Sequence, residues 1–182
     1  VIITDNSATY TGGGIFASYN NCDGAIIPSN LTLDNIIISG NSAVTASGGI
    51  HLGTSCLPSE GDTHPILNNV TITGNFSKHG AGISLGNTNA VLNNVLISDN
   101  VAETSGGGIT FYNYSSPILE NVTVSGNIAG SYGGGISLDA NPGNPVLINS
   151  ILWNNLPQEI YFSETNDNGT LFVAHSDIQG GE

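Results

Sequence analysis

The chain has 182 residues, with 14 acidic side chains against a single basic one, Lys78, and a formal net charge of -13 at pH 7. Without cations to neutralise phosphates, nucleic acid and anionic membrane surfaces are excluded as partners. No stretch approaches the roughly 20 apolar residues of a membrane span, so membrane insertion is not expected.

In chain order, the first element is Val1-Ile2-Ile3, an aliphatic run that closes on Asn6 three residues after Ile3. A glycine cluster and an isoleucine follow, Gly12-Gly13-Gly14-Ile15. The same unit returns as Ile38…Asn41 with Gly48-Gly49-Ile50, and as Ile72…Asn75 with Gly80-Ala81-Gly82-Ile83. It returns again as Ile97…Asn100 with Gly106-Gly107-Gly108-Ile109, and as Val124…Asn127 with Gly133-Gly134-Gly135-Ile136. A sixth signature, Leu152…Asn155, has no glycine cluster behind it. The step from Asn to Ile is 8 or 9 residues throughout, whereas the step from Ile to the next aliphatic anchor runs from 14 to 23. One arc is fixed and the other takes insertions, as in a solenoid whose coils must match only where they stack.

Runs such as Val70-Thr71-Ile72-Thr73 and Val122-Thr123-Val124-Ser125 alternate with period two and are β-branched, which marks strands rather than helices. Short strands, glycine turns and a sustained repeat predict an all-β, single-stranded parallel β-helix of about six coils, a rod roughly 30 Å long at about 4.8 Å per rung. Aligned coils give inward aliphatic ladders: Ile15, Ile50, Ile83, Ile109 and Ile136; Leu33, Leu67, Leu92, Leu119 and Leu147; Ile38, Ile72, Ile97, Val124 and Leu152. Two asparagine columns also align, Asn35, Asn69, Asn94, Asn121, Asn149 and Asn6, Asn41, Asn75, Asn100, Asn127, Asn155. An amide carries donors and an acceptor, so such columns are expected to be structural turn ladders rather than sugar sites. The glycine runs have no following lysine or helix signal and are not phosphate loops.

The alternation of Gly-Gly-aliphatic clusters with aliphatic-x-x-Asn resembles the repeats of chlamydial polymorphic outer membrane proteins and the wider set of secreted right-handed parallel β-helix proteins. Asn144-Pro145-Val146-Leu147-Ile148-Asn149 through Asn155, with His175-Ser176-Asp177-Ile178, is similar to the last coils of large secreted bacterial β-helices. The resemblance implies a right-handed coil and an extracellular or cell-surface location. This chain places Ile, Val or Leu where the chlamydial repeat usually has Phe.

Residues 1–182 read as a single β-helix domain with uncapped ends, since Val1-Ile2-Ile3 already sits within a coil and Gly181-Glu182 carries no cap. Uncapped coils expose strand edges, so the expectation is a fragment of a larger chain or an assembling subunit. The partners are then further copies or adjoining domains at the open ends, and glycans.

The two longest variable arcs hold Cys22 and Cys56 at nearly equal offsets, seven and six residues, after Ile15 and Ile50. Equivalent positions on adjacent rungs lie about 4.8 Å apart, within disulfide reach, so a Cys22–Cys56 bridge is predicted. Two free structural thiols are the alternative. Asp23 lies on one of these arcs, and Glu60, Asp62 and His64 on the other, the one convergence of titratable groups. It is a candidate ligand-binding site whose bland reading is a solvated acidic loop. Tyr112 and Tyr114, beside the Tyr132 turn, form the best glycan candidate.

No metal site is assigned, and a surface calcium ion is the only cofactor the charge favours. Polyuronate lyases on this fold typically use Lys or Arg beside calcium, but Lys78 is the only basic residue here. Asp34, Asp99, Glu120 and Asp139 are read at different repeat positions, so hydrolytic carboxylate pairs are not expected. The sequence therefore points to a non-catalytic structural or adhesive β-helix. The competing reading is a β-helix that binds or degrades polysaccharide.

Overall fold

In the computed structural model, residues 1–19, 31–54, 64–163 and 169–180 are described. Their strands fall into three sheets in which the pairings are parallel. Sheet A has 11 strands, sheet B five and sheet C six. Each pass of the chain adds a rung to sheet A, then B, then C. Thr32–Ser39, Ser42–Ala46 and Ile50–Thr54 make one such pass, and Ile66–Thr73, Phe76–His79 and Ile83–Gly86 stack directly on it.

The register matches the sequence ladders residue for residue. Ile50 pairs with Ile83, Ile83 with Ile109, and Ile109 with Ile136. Leu33 pairs with Leu67, and Ile38 with Ile72. These side chains form one buried core running the length of the rod. A slip of one residue would turn every ladder outward, so burial fixes the register.

Both asparagine columns align as expected, but only one of them forms a continuous hydrogen-bonded ladder. The Asn41 to Asn155 column is buried. Each of its members, through backbone N and Nδ2, donates to the Oδ1 of the next: Asn75 to Asn100 at 3.0 and 2.9 Å, Asn100 to Asn127 at 3.0 and 2.9 Å. The second Nδ2 hydrogen goes back to a strand carbonyl, as from Asn100 to Ile72 O at 3.0 Å. Buried amides are thus satisfied in all directions, which a fully buried β-helix corner requires. The last link is not an amide. Asn155 donates from N and Nδ2 to the carboxylate of Glu159, at 3.1 and 2.5 Å, and Glu159 is itself buried.

The other column, Asn35 to Asn149, is exposed and sits at the bend of sheet A with φ between 50° and 56°. Asparagine, like aspartate, tolerates this left-handed region better than most side-chain-bearing residues.

The glycine clusters are explained by close stacking. A β-carbon at Gly108 would lie 2.6 Å from Gly135 O and 2.8 Å from Val124 Cγ1. The corner is filled by the neighbouring rung and the buried amide, leaving room for hydrogen alone.

Candidate functional site

The outward face of sheet C collects the groups with chemistry. Its outward column runs Phe16, His51, Ser84, Thr110, Ser137, Tyr161 in register. The three hydroxyl residues in the middle are buried although they point away from the core. The glycine turn folds back over them, so that a β-carbon at Gly106 would fall 1.8 Å from Thr110 Oγ1. Thr110 Oγ1 has no hydrogen-bond partner among the described residues, because glycine backbone covers it.

The two ends of the column remain aromatic. Phe16 and His51 stack with centroids 5.0 Å apart and planes 12° from parallel. Tyr112, three positions after the ladder residue Ile109, reaches back across two rungs to bring its hydroxyl 3.4 Å from His51 Nε2. Two glycines in its own column make that reach possible. Gly53 pairs with Gly86, and Gly86 with Tyr112, and a β-carbon on Gly86 would be 2.2 Å from the tyrosine ring. At the other end Tyr132 stacks on Tyr161 at 4.5 Å and 17°.

Electrostatics keep His51 and Tyr112 uncharged at neutral pH. Burial lowers the His51 imidazole below its ordinary range, and Ser47 Oγ lies 3.2 Å from its Nδ1. Burial raises the Tyr112 phenol to about 12, so it stays protonated. His79 is lowered first by burial and then by Lys78, against an opposing pull from Asp139 and Glu103. Its Nδ1 sits 2.7 Å from Thr104 Oγ1 and 3.1 Å from Ser105 Oγ. Asp139 accepts from Ser137 Oγ at 2.7 Å. Planar aromatic surfaces suit stacking against the apolar face of a sugar ring.

Of the residues the sequence singled out, Cys22, Asp23, Cys56, Glu60 and Asp62 lie outside the described residues. His64 is exposed just before the strand Ile66–Thr73. Tyr112 belongs to the aromatic face, while Tyr114 is 51% exposed in a turn with φ 62°. The expected patch of Tyr112, Tyr114 and Tyr132 is redistributed, with Tyr112 packed toward His51 and Tyr132 against Tyr161. The sequence reading missed Phe16, His51 and Tyr161 as one column. Their common offset, one residue after a ladder isoleucine, was the available signal.

The carboxylates need one correction. Asp34 and Glu120 share a column, joined through Asn68 and Asn93, rather than occupying different repeat positions. Three rungs separate them, about 14 Å at the sheet spacing, wider than the roughly 5–9.5 Å of paired glycosidase carboxylates. Among the described residues, no three His, Cys, Asp or Glu side chains group as metal ligands, and no helix is long and apolar enough to cross a membrane.

A family model described as the right handed beta helix region matches residues 55–171, and the Chlamydia polymorphic membrane protein repeat matches residues 1–18. No curated protein and no solved structure gives a match. With parallel rungs throughout its sheets and a family match over more than half its length, the chain belongs to the right-handed β-helix family.

Proposed function

We propose that this β-helix is an extracellular or cell-surface rod with a structural and adhesive role, not a catalyst. The observation that carries the reading is the pairing of a solenoid in register, its buried amides hydrogen-bonded from rung to rung, with aromatic platforms beside sheet C, Phe16–His51–Tyr112 and Tyr132–Tyr161. A preorganised rod displays such platforms at little entropic cost, which is what adhesion asks of a scaffold. The repeat shared with the chlamydial membrane proteins supports a surface location. A net charge of -13 favours neutral glycans over anionic ones.

The rod associates through its ends with further β-helix, other domains or another copy. Screening the protein on a glycan array, alongside an assay for new reducing ends, tests the reading. Binding without product release is the expected result; release of reducing ends would restore the polysaccharide-degrading alternative.

A further inference from the structure

We propose that the bend of sheet A is a second binding surface, a groove for an extended, neutral β-linked polysaccharide chain. For its ligand class this rests on the adhesive reading above, but it lies on a different face from the aromatic platforms. The groove holds about 280 Å³. One wall is the exposed amides of Asn69, Asn94 and Asn121, and the other the outward Thr71, Leu96 and Thr123.

The backbone does not account for this asparagine column. Any residue at the bend must adopt positive φ, but glycine or aspartate would serve equally well. The neighbouring corner shows this directly. Its positive-φ column reads Asp5, Gly40, Gly74, Asp99, Gly126 and Asn154. At the bend of sheet A the residue is asparagine on five successive rungs, Asn35 to Asn149.

An amide zipper along the axis does not account for it either. Asn94 donates to Asn69 Oδ1 at 2.6 Å, but Asn69 turns to Asp34 Oδ1 at 3.3 Å and Asn121 to Asn93 Oδ1 at 3.5 Å. The inner column forms an unbroken ladder and the outer one does not. Each outer amide therefore keeps donor and acceptor capacity facing the groove.

The chemistry of the walls selects the ligand. Amides and threonine hydroxyls match sugar hydroxyls, and Leu96, 38% exposed on the middle rung, offers a surface for a ring's C–H face. Asp34 and Glu120 flank the groove and disfavour polyanions. Rungs recur every 4.8 Å or so, close to the advance per residue of an extended β-1,4-linked hexose chain. One amide then meets each sugar unit, on opposite ring edges for alternate units because successive β-1,4-linked rings are flipped, which an extended peptide with its shorter rise of about 3.3 Å per residue cannot do.

Isothermal titration calorimetry with β-1,4-linked gluco-oligosaccharides of two to six units tests this on the intact chain. Affinity is expected to rise with length. The Asn94→Gly/Asn121→Gly variant, in which glycine preserves the backbone conformation, is expected to lose about tenfold or more. Val44→Ala, on the exposed face of sheet B, is expected to leave this binding unchanged. If the double variant binds as tightly as the unaltered chain, or if Val44→Ala alone abolishes binding, the groove assignment fails and the adhesive reading stands. If the unaltered chain binds none of these oligosaccharides, the groove assignment fails. If the glycan array is also blank, the adhesive reading fails with it.

Discussion

Asparagine carries two unrelated duties in this molecule, and single substitutions separate them. Asn100 is buried and accepts from both nitrogens of Asn75. Asn100→Ala leaves those donors without a partner in a buried corner, and a loss of about 3 kcal/mol is expected, at the upper end for a buried orphaned group. Asn94 is exposed, and Asn94→Gly is expected to stay within about 0.5 kcal/mol. Urea denaturation midpoints of the two variants check both expectations. His51 adds a pH dependence. Burial lowers its folded-state pKa, while the unfolded imidazole protonates near 6.5. Below that pH the unfolded chain binds the extra proton, so this contribution destabilises the fold as pH falls from about 6.5 toward the depressed folded value. Comparing melting temperatures of the unaltered chain and His51→Gln from pH 7.5 to 5 isolates this contribution, and the slope should be shallower in the variant. Both asparagine columns were legible in the sequence as columns, because the repeat spacing aligns them. Which one is buried was not, since the same residue serves an exposed bend and a buried corner.

At the scale of a single rung, the corner between sheets B and C sets the tolerance of the fold. Gly108→Ala places a methyl group against Gly135 O and Val124 Cγ1. Backbone carbonyls on a stacked rung cannot move away without breaking the ladder. A loss of about 3 kcal/mol is expected from overpacking, measurable as a drop in the thermal midpoint. The glycine clusters were therefore readable as turns, but the reason for glycine at each position required the neighbouring rung. The end of the inner amide column is another feature of this scale. Glu159 closes it with a carboxylate drawn from four residues downstream of Asn155. Glu159→Ala is expected to cost about 2 kcal/mol by orphaning two donors, whereas Glu159→Gln retains an acceptor and should cost less. Hydrogen exchange at the Asn155 amide reads the difference. Sequence reading assigned Glu159 no role, as it lies outside the repeat signature.

The whole rod is held by repetition of modest interactions between neighbours, with a continuous aliphatic core and amide ladders along its axis. Its acidic surface, with only Lys78 in opposition, makes ends of separate rods repel at low salt. If the rods join end to end, electron microscopy should show longer particles as ionic strength rises and the repulsion is screened. Short rods of constant length at all salt concentrations would argue against self-stacking. The sequence by itself determined the β-helix, its rung count and its ladders, because a solenoid needs each coil to match only the next and so writes its register as a spacing. It could not determine the surface. The aromatic face, the Asp34–Glu120 column and the asparagine-lined bend unite residues from rungs 25 or more positions apart in the chain. Insertions of variable length lie between them. Only the stacking of backbone on backbone, about 4.8 Å per rung, brings those side chains to one place.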